Sequence, residues 1–213
     1  MSAGARAFEL APGVLEKIAG TVTPQPLLAV VRTPEASLED ISDAQLVIVC
    51  VDVRDPGNAG ALIRSADASG AGGVVCCDGT VDPYNPKTVR ASAGSVLHVP
   101  VVTSVAASEA LSWLASHGFA LRGAVAHGGT PHTDVDWSRR SALVLGNEAK
   151  GLDESLRPKL DELVTVSMSG HAESLNVSIA GAVICFEALR QRSSTLAAVH
   201  GQAVARHDDV LSQ

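Results

Sequence analysis

Three stretches of this sequence carry polar groups at spacings that could do chemistry. In VRDPGNAGALIRSA (53–66), Asn58 is placed to cap the helix that follows, and Gly57 and Gly60 to let the backbone turn tightly. Arg64 comes six residues later, nearly two helical turns on, so it projects from the same general side as the cap. A guanidinium near outward-pointing helix amides makes an anion pocket, although an ordinary capped helix with a surface arginine would carry the same residues. In LVLGNEAKGL (143–152), a strand runs into a turn with Gly146 and Gly151 around Glu148. Glycine at the end of a buried strand lets a ligand approach backbone groups. The carboxylate could bond a ribose hydroxyl or an arginine, or cap a helix beginning near Asp153. In VSMSGHAESLNVSIAGA (166–182), a strand edge passes into a polar loop and then a helix whose first turn carries Ser174, Asn176 and Ser178. As capping chemistry alone that turn is over-furnished; as a hydrogen-bonding site at a positive helix end it is well equipped.

The elements that must position these loops follow from hydrophobic patterning. LVIVCVDV (46–53) is a near-continuous apolar run, as in a parallel strand covered on both faces. Further strands are predicted at 72–77, 95–102, 121–127, 141–146 and 162–168. Helices are predicted at about 59–69, 104–117 and 176–192, with a helix-like stretch in PKTVRASAG that carries Arg90. Arg90 is either a second phosphate contact or part of a solvated helix face. Strand, turn, helix, strand, repeated, gives an α/β doubly wound domain with a mostly parallel sheet, whose ligands bind outside the C-terminal ends of the strands. The domain is expected over 46–192. It is preceded by a Pro- and Ala-rich segment (1–45) with a helix end near Glu16–Gly20 and a short strand at Leu27–Val31, and followed by a polar tail (193–213).

Composition narrows the function classes. The chain has 213 residues, 46% of them hydrophobic and 18% charged, as expected of one compact domain with tails. Aromatics make up only 3%, against a sheet that stacks many bases. A net charge of −7 is the wrong sign for a sequence-independent polyanion binder, though it leaves room for a local basic site. The apolar runs fall short of the ~20 residues that span a bilayer, and no signal pattern opens the chain, so a cytoplasmic protein without a membrane partner is expected. Cys50, Cys76, Cys77 and Cys185 lack C-x-x-C spacing and lie in apolar runs, so they read as reduced, buried hydrophobes. His127 and His132 lack metal-ligand spacing, and no metal is expected. Gly70–Gly73 follows a helix and precedes a strand, the reverse of a dinucleotide fingerprint.

Taken in order, the three loops resemble the SpoU/TrmH family of RNA ribose 2′-O-methyltransferases, in the SPOUT superfamily. The first matches N-x-G-x-x-x-R through Asn58, Gly60 and Arg64. The second matches L-V-x-G-x-E-x-x-G-L through Gly146, Glu148, Gly151 and Leu152. The third matches M-x-G-x-x-x-S-L-N-V-S-x-A through Met168, Gly170, Ser174, Leu175, Asn176 and Ser178. The segment 85–101 is also similar, and the resemblance spans about residues 46–192. It implies a C-terminal deep trefoil knot, a homodimer with its active sites at the interface, and S-adenosylmethionine held by Gly146, Val166, Met168, Leu175 and Asn176. It further implies catalytic roles for Arg64, Glu148, Ser174, Asn176 and Asn58, with Glu148 orienting Arg64 or a ribose, and RNA contacts from Arg64 and Arg90. Family members carry an N-terminal RNA-gripping domain, and residues 9–40 are similar to only its last part.

The implied reaction is attack of a ribose 2′-oxygen on a sulfonium methyl, in ribosomal RNA (23S) rather than transfer RNA. A guanidinium has no acceptor atom and a pKa above ~12, which suits Arg64 to holding a phosphate and developing negative charge rather than to taking the proton. Two alternatives remain: a catalytically silent RNA- or S-adenosylmethionine-binding protein of the same fold, and a nucleotide-dependent oxidoreductase. The latter lacks the Gly-rich first turn it needs.

Overall fold

The computed structural model describes residues 6–19 and 25–211, with side chains as far as Ser194. Met1–Thr33 and Pro34–Gln213 form two compact units. In the first, α1 (Val14–Ile18) occupies the region where a helix end is predicted. Leu27–Val31 is not a strand; it has no regular structure, and Leu27, Val30 and Val31 are exposed.

The second unit is a seven-stranded sheet in the order β3-β2-β1-β6-β4-β7-β5. Its strands are β1 (Leu46–Cys50), β2 (Gly73–Cys76), β3 (Val101–Val102), β4 (Ala120–Ala124), β5 (Thr130–Pro131), β6 (Ser141–Leu145) and β7 (Glu162–Thr165). Every pairing is parallel. Alternate residues of β1 serve opposite faces, as the pleat requires. Leu46, Ile48 and Cys50 pack with Leu62, Ile63, Ile184 and Ala188 on one side. Val47 and Val49 pack with Ile41, Leu111 and Leu114 on the other. Because Ile41 is fully buried there, the segment just before β1 is part of this core.

Helices α2 (Pro56–Ala68), α3 (Pro86–Ala91), α4 (Ala107–Ser116) and α5 (Val177–Leu211) cover the sheet. Of the strand predicted at 95–102, only Val101–Val102 is one. Residues Ser95–Leu97 form a 3-10 turn entered through Gly94 at φ 97°, and Pro100 has no amide to give a ladder. Strand β5 lies where a loop is predicted; two residues give no period to read. Helix α5 does not end at residue 192 but continues through Leu211.

Gly57 and Gly60 lie inside α2 rather than in a turn. The requirement for Gly60 is close helix packing: a Cβ there would strike the Ala91 Cβ and come 2.6 Å from the Thr88 carbonyl and 2.9 Å from the Ser92 amide. Gly60→Val is therefore expected to force α2 and α3 apart and cost about 1–3 kcal/mol, seen as a lower denaturation midpoint with an unchanged m-value. Unchanged stability would refute this packing.

The four cysteines are buried and free. A hydrogen bond shared with Cys76, then burial, raises the Cys50 thiol, and burial pushes Cys77 and Cys185 up to about 12. A thiol reagent at neutral pH is expected to leave the folded protein unmodified and to titrate all four cysteines in denaturant. Rapid labelling of the native state would contradict this.

Candidate active site

Since the strands are parallel, the loops leaving β1, β4, β6 and β7 emerge at one edge of the sheet. The chain runs from β1 outward to β2 and β3, then returns to the other side of β1, so the edge beside β1 and β6 is a topological switch point. The loops carrying Asn58 and Glu148 meet there.

Asp55, rather than Asn58, caps α2: its Oδ1 accepts from the Asn58 amide at 2.9 Å, with Pro56 beginning the helix. That frees the Asn58 side chain. Its Nδ2 donates to Glu148 Oε1 at 3.0 Å, and its Oδ1 accepts from Asn176 Nδ2 at 2.9 Å and from Ser178 Oγ at 3.4 Å. Asn176 in turn caps α5, its Oδ1 accepting from the Ser178 amide at 2.9 Å and the Ser178 hydroxyl at 2.7 Å. Capping and site chemistry are thus served by the same side chain. One chain of hydrogen bonds ties all three loops together, and it fixes which way the Asn58 amide points.

Glu148 is the acceptor at the end of that chain. It also receives the amides of Asp55 at 3.1 Å and Arg54 at 3.3 Å. Within one chain it makes no bond to Arg64, and it does not cap the turn after Asp153, since Asp153 caps that turn itself through the Ser155 amide. Partial burial pushes the Glu148 carboxyl up, but the bonds from Asn58, its own amide, Asp55 and Arg54 outweigh it and hold the carboxyl below its ordinary value.

Beside this node lies a cavity of about 450 Å³, within the range of small-molecule sites. Gly146, Glu148, Val166, Met168, Ser174 and Leu175, all singled out in the sequence, line it. Leu145, Val164 and Ile184 supply further apolar wall, and His127, Lys150 and Arg157 supply polar groups that no motif marks. Gly146 also has a packing requirement of its own: a Cβ there would strike the Gly151 carbonyl of its own loop. That loop closes through Asn147–Gly151 hydrogen bonds of 3.0 and 2.9 Å, and Gly146 is what lets it fold back.

Asn58, Asn176, Arg64 and Arg90 are absent from the cavity lining. Both arginines are exposed. Arg64 has neither hydrogen bond nor ion pair among the described residues. Six residues at 100° each turn it about 120° away from Asn58 around the helix, so the two do not share a side.

Residues 45–186 match the model of the SpoU rRNA Methylase family. The chain belongs to that family. It is 37% identical over 186 residues to the 23S rRNA (guanosine(2553)-2'-O)-methyltransferase RlmP of Bacillus subtilis, covering 87% of this chain and 73% of that protein. It is 36% identical over 178 residues to the 23S rRNA (uridine(2479)-2'-O)-methyltransferase of Streptomyces viridochromogenes, covering 80% of this chain and 62% of the relative. The crystal structure of the SpoU methyltransferase AviRb from Streptomyces viridochromogenes, in complex with the cofactor AdoMet, superposes with a TM-score of 0.70 at 36% identity, covering 76% of this chain and 66% of that one. The SpoU domain thus carries all three loops, and the chain spans about two thirds of AviRb. Among the described residues, no helix is long and apolar enough to cross a membrane.

Proposed function

We propose that this SpoU-family chain methylates a ribose 2′-hydroxyl of 23S ribosomal RNA in the cytoplasm, with S-adenosylmethionine as donor. The observation that carries this reading is the hydrogen-bonded chain Glu148–Asn58–Asn176–Ser178, which ties together the loops whose Glu148, Ser174 and Leu175 line the cavity. The cavity fits the cofactor: about 450 Å³, with apolar walls from Leu145, Val164, Val166, Leu175 and Ile184 for a flat heteroaromatic ring. His127, Thr165 and Ser174 add polar groups for a sugar and an amino acid end. When bound, S-adenosylmethionine supplies an electrophilic methyl on a sulfonium sulfur. The chain's own task is to exclude water from that methyl and to aim a sugar oxygen at it, because orientation provides much of the rate. Intact connectivity among all three loops favours an active enzyme over a silent binding module.

Arg64 enters from a second copy of the chain. The support is twofold: Arg64 is exposed, unpartnered among the described residues and off its own cavity, and α5 carries an exposed apolar stripe. Ile179, Val183 and Phe186 recur at i, i+4 and i+7 and are 54%, 36% and 49% exposed. A two-fold dimer through α5 covers the stripe and carries the α2 helix packed beside it toward the partner's cavity. There Arg64 holds the phosphate next to the target ribose and the charge growing on its 2′-oxygen. Arg90, on α3 against α2, extends the phosphate contact. The trefoil threading belongs to the same proposal: β6 is inserted between β1 and β4, and α5 then returns to lie on α2.

The test is transfer of a tritiated methyl group to protein-free 23S rRNA and to tRNA, followed by mapping of 2′-O-methyl positions. One labelled ribose in 23S rRNA is expected. Label confined to tRNA would overturn the substrate, and no label in either RNA would overturn the activity.

A further inference from the structure

Two consecutive side chains of the loop after β6 reach across to the loop after β1. Glu148 is one; Asn147 is the other, and no motif points to it. Every polar atom of Asn147 is committed. Its backbone closes the loop onto Gly151, and its Oδ1 accepts the amides of Ala149 at 3.0 Å and Lys150 at 3.1 Å. Its Nδ2 donates to the Asp52 carbonyl at 2.9 Å and to Asp52 Oδ2 at 3.2 Å.

Asp52 is itself unusual. Its φ is +56°, a left-handed conformation seldom adopted outside glycine, asparagine and aspartate. Such backbone persists where its surroundings over-determine it, and here they do: Asn147 holds both its carbonyl and its carboxylate, whose other oxygen accepts Arg54 Nε at 2.7 Å. The residues that follow, Arg54 and Asp55, present the amides that Glu148 accepts. Asn147 also lines the cavity.

We propose that Asn147 and Asp52 form a positioning pair that pins the cavity loop to the loop leading into α2, and so sets where Glu148 and Asn58 stand for methyl transfer. This rests on the reading of the cavity as the S-adenosylmethionine site. Neither residue touches the reacting atoms; the pair works through Glu148 and Asn58. If the lead-in loop relaxes from its left-handed turn, the amides of Arg54 and Asp55 leave Glu148, and the cavity rim opens.

The test exchanges the pair. Asn147→Asp keeps the acceptor for the Ala149 and Lys150 amides but sets a carboxylate against the Asp52 carbonyl and carboxylate. S-adenosylmethionine binding by calorimetry is expected to weaken about tenfold, with a larger fall in kcat for methyl transfer to 23S rRNA transcript. The double variant Asn147→Asp with Asp52→Asn restores the side-chain bond with donor and acceptor exchanged, at a position where asparagine tolerates positive φ, but leaves the residue-52 carbonyl without its donor, and should recover part of the loss. Asn147→Ser, too short to span the gap, should behave like Asn147→Asp if the latter folds poorly. Thermal unfolding run alongside separates positioning from mere stability: lower Tm with unchanged Kd and kcat overturns the proposal. So does an Asn147→Asp defect that the swap fails to relieve. Wild-type protein that binds no S-adenosylmethionine would overturn this proposal together with the reading of the cavity, whereas wild-type binding matched by every variant would overturn the pair alone.

Discussion

Replacing Arg64 with alanine is expected to slow methyl transfer about 1000-fold while leaving S-adenosylmethionine affinity unchanged. The two halves of that result have separate causes. Arg64 is absent from the lining of its own cavity, and in the partner's it is proposed to hold the RNA phosphate and the 2′-oxygen rather than the cofactor, so cofactor binding has nothing to lose. Its guanidinium is uncommitted among the described residues, and an uncommitted planar fork suits a phosphate and a developing alkoxide. Arg64→Lys should recover little, because a lysine ammonium is a point charge that cannot bridge two oxygens in a fixed plane. Single-turnover transfer to 23S rRNA together with calorimetric titration of the cofactor measures both halves. A lysine variant at wild-type rate would remove Arg64 from the mechanism.

Glu148→Ala is expected to reduce kcat/KM about 100-fold, with cofactor affinity and turnover both affected. The carboxylate accepts from two backbone amides and from Asn58, so its loss frees the lead-in loop and lets the Asn58 amide rotate away from Asn176. Glu148→Gln should fall between, since an amide oxygen still accepts but lacks the charge that strengthens these bonds. The pH dependence has a definite sign. A carboxyl held below its ordinary value of about 4.3 keeps its contribution above that value and loses it only as pH falls through the lower folded-state value. Cofactor binding should therefore stay level from neutral pH down to about pH 4.5 and weaken below it, a decline missing in Glu148→Gln. A decline in cofactor binding already complete by pH 6 would mean that another group controls the site.

The sequence exposes some of this architecture and hides the rest for identifiable reasons. The runs 46–50 and 141–145 are apolar on both faces because both strands are central in a parallel sheet, and they are unmistakable. The two-residue strands β3 and β5 sit at the two edges of the sheet, too short to show a period. Asn58, Glu148 and Asn176 are visible as motif residues, but their mutual hydrogen bonds span separations of 90 and 118 residues and no local pattern encodes them. A glycine can mislead when read as a turn: Gly60 serves helix packing. Asp55 precedes Pro56, a residue suited to the first helical position, and is therefore the better cap, which leaves Asn58 to the site. Arg64 is singled out by its motif, and within one chain it is absent from the cavity lining.

The central claim is that one copy's guanidinium completes another copy's cavity, and mixing protomers tests it most directly. Arg64→Ala and Glu148→Ala proteins, each inactive, are combined, allowed to exchange subunits and assayed for methyl transfer to 23S rRNA. In a mixed dimer, the Arg64→Ala chain offers an intact cavity and the Glu148→Ala chain an intact arginine, so one of the two sites works. Random exchange then restores about a quarter of wild-type activity. If the mixture stays as inactive as its components while exchange is verified, Arg64 acts within its own chain or not at all, and the account is wrong.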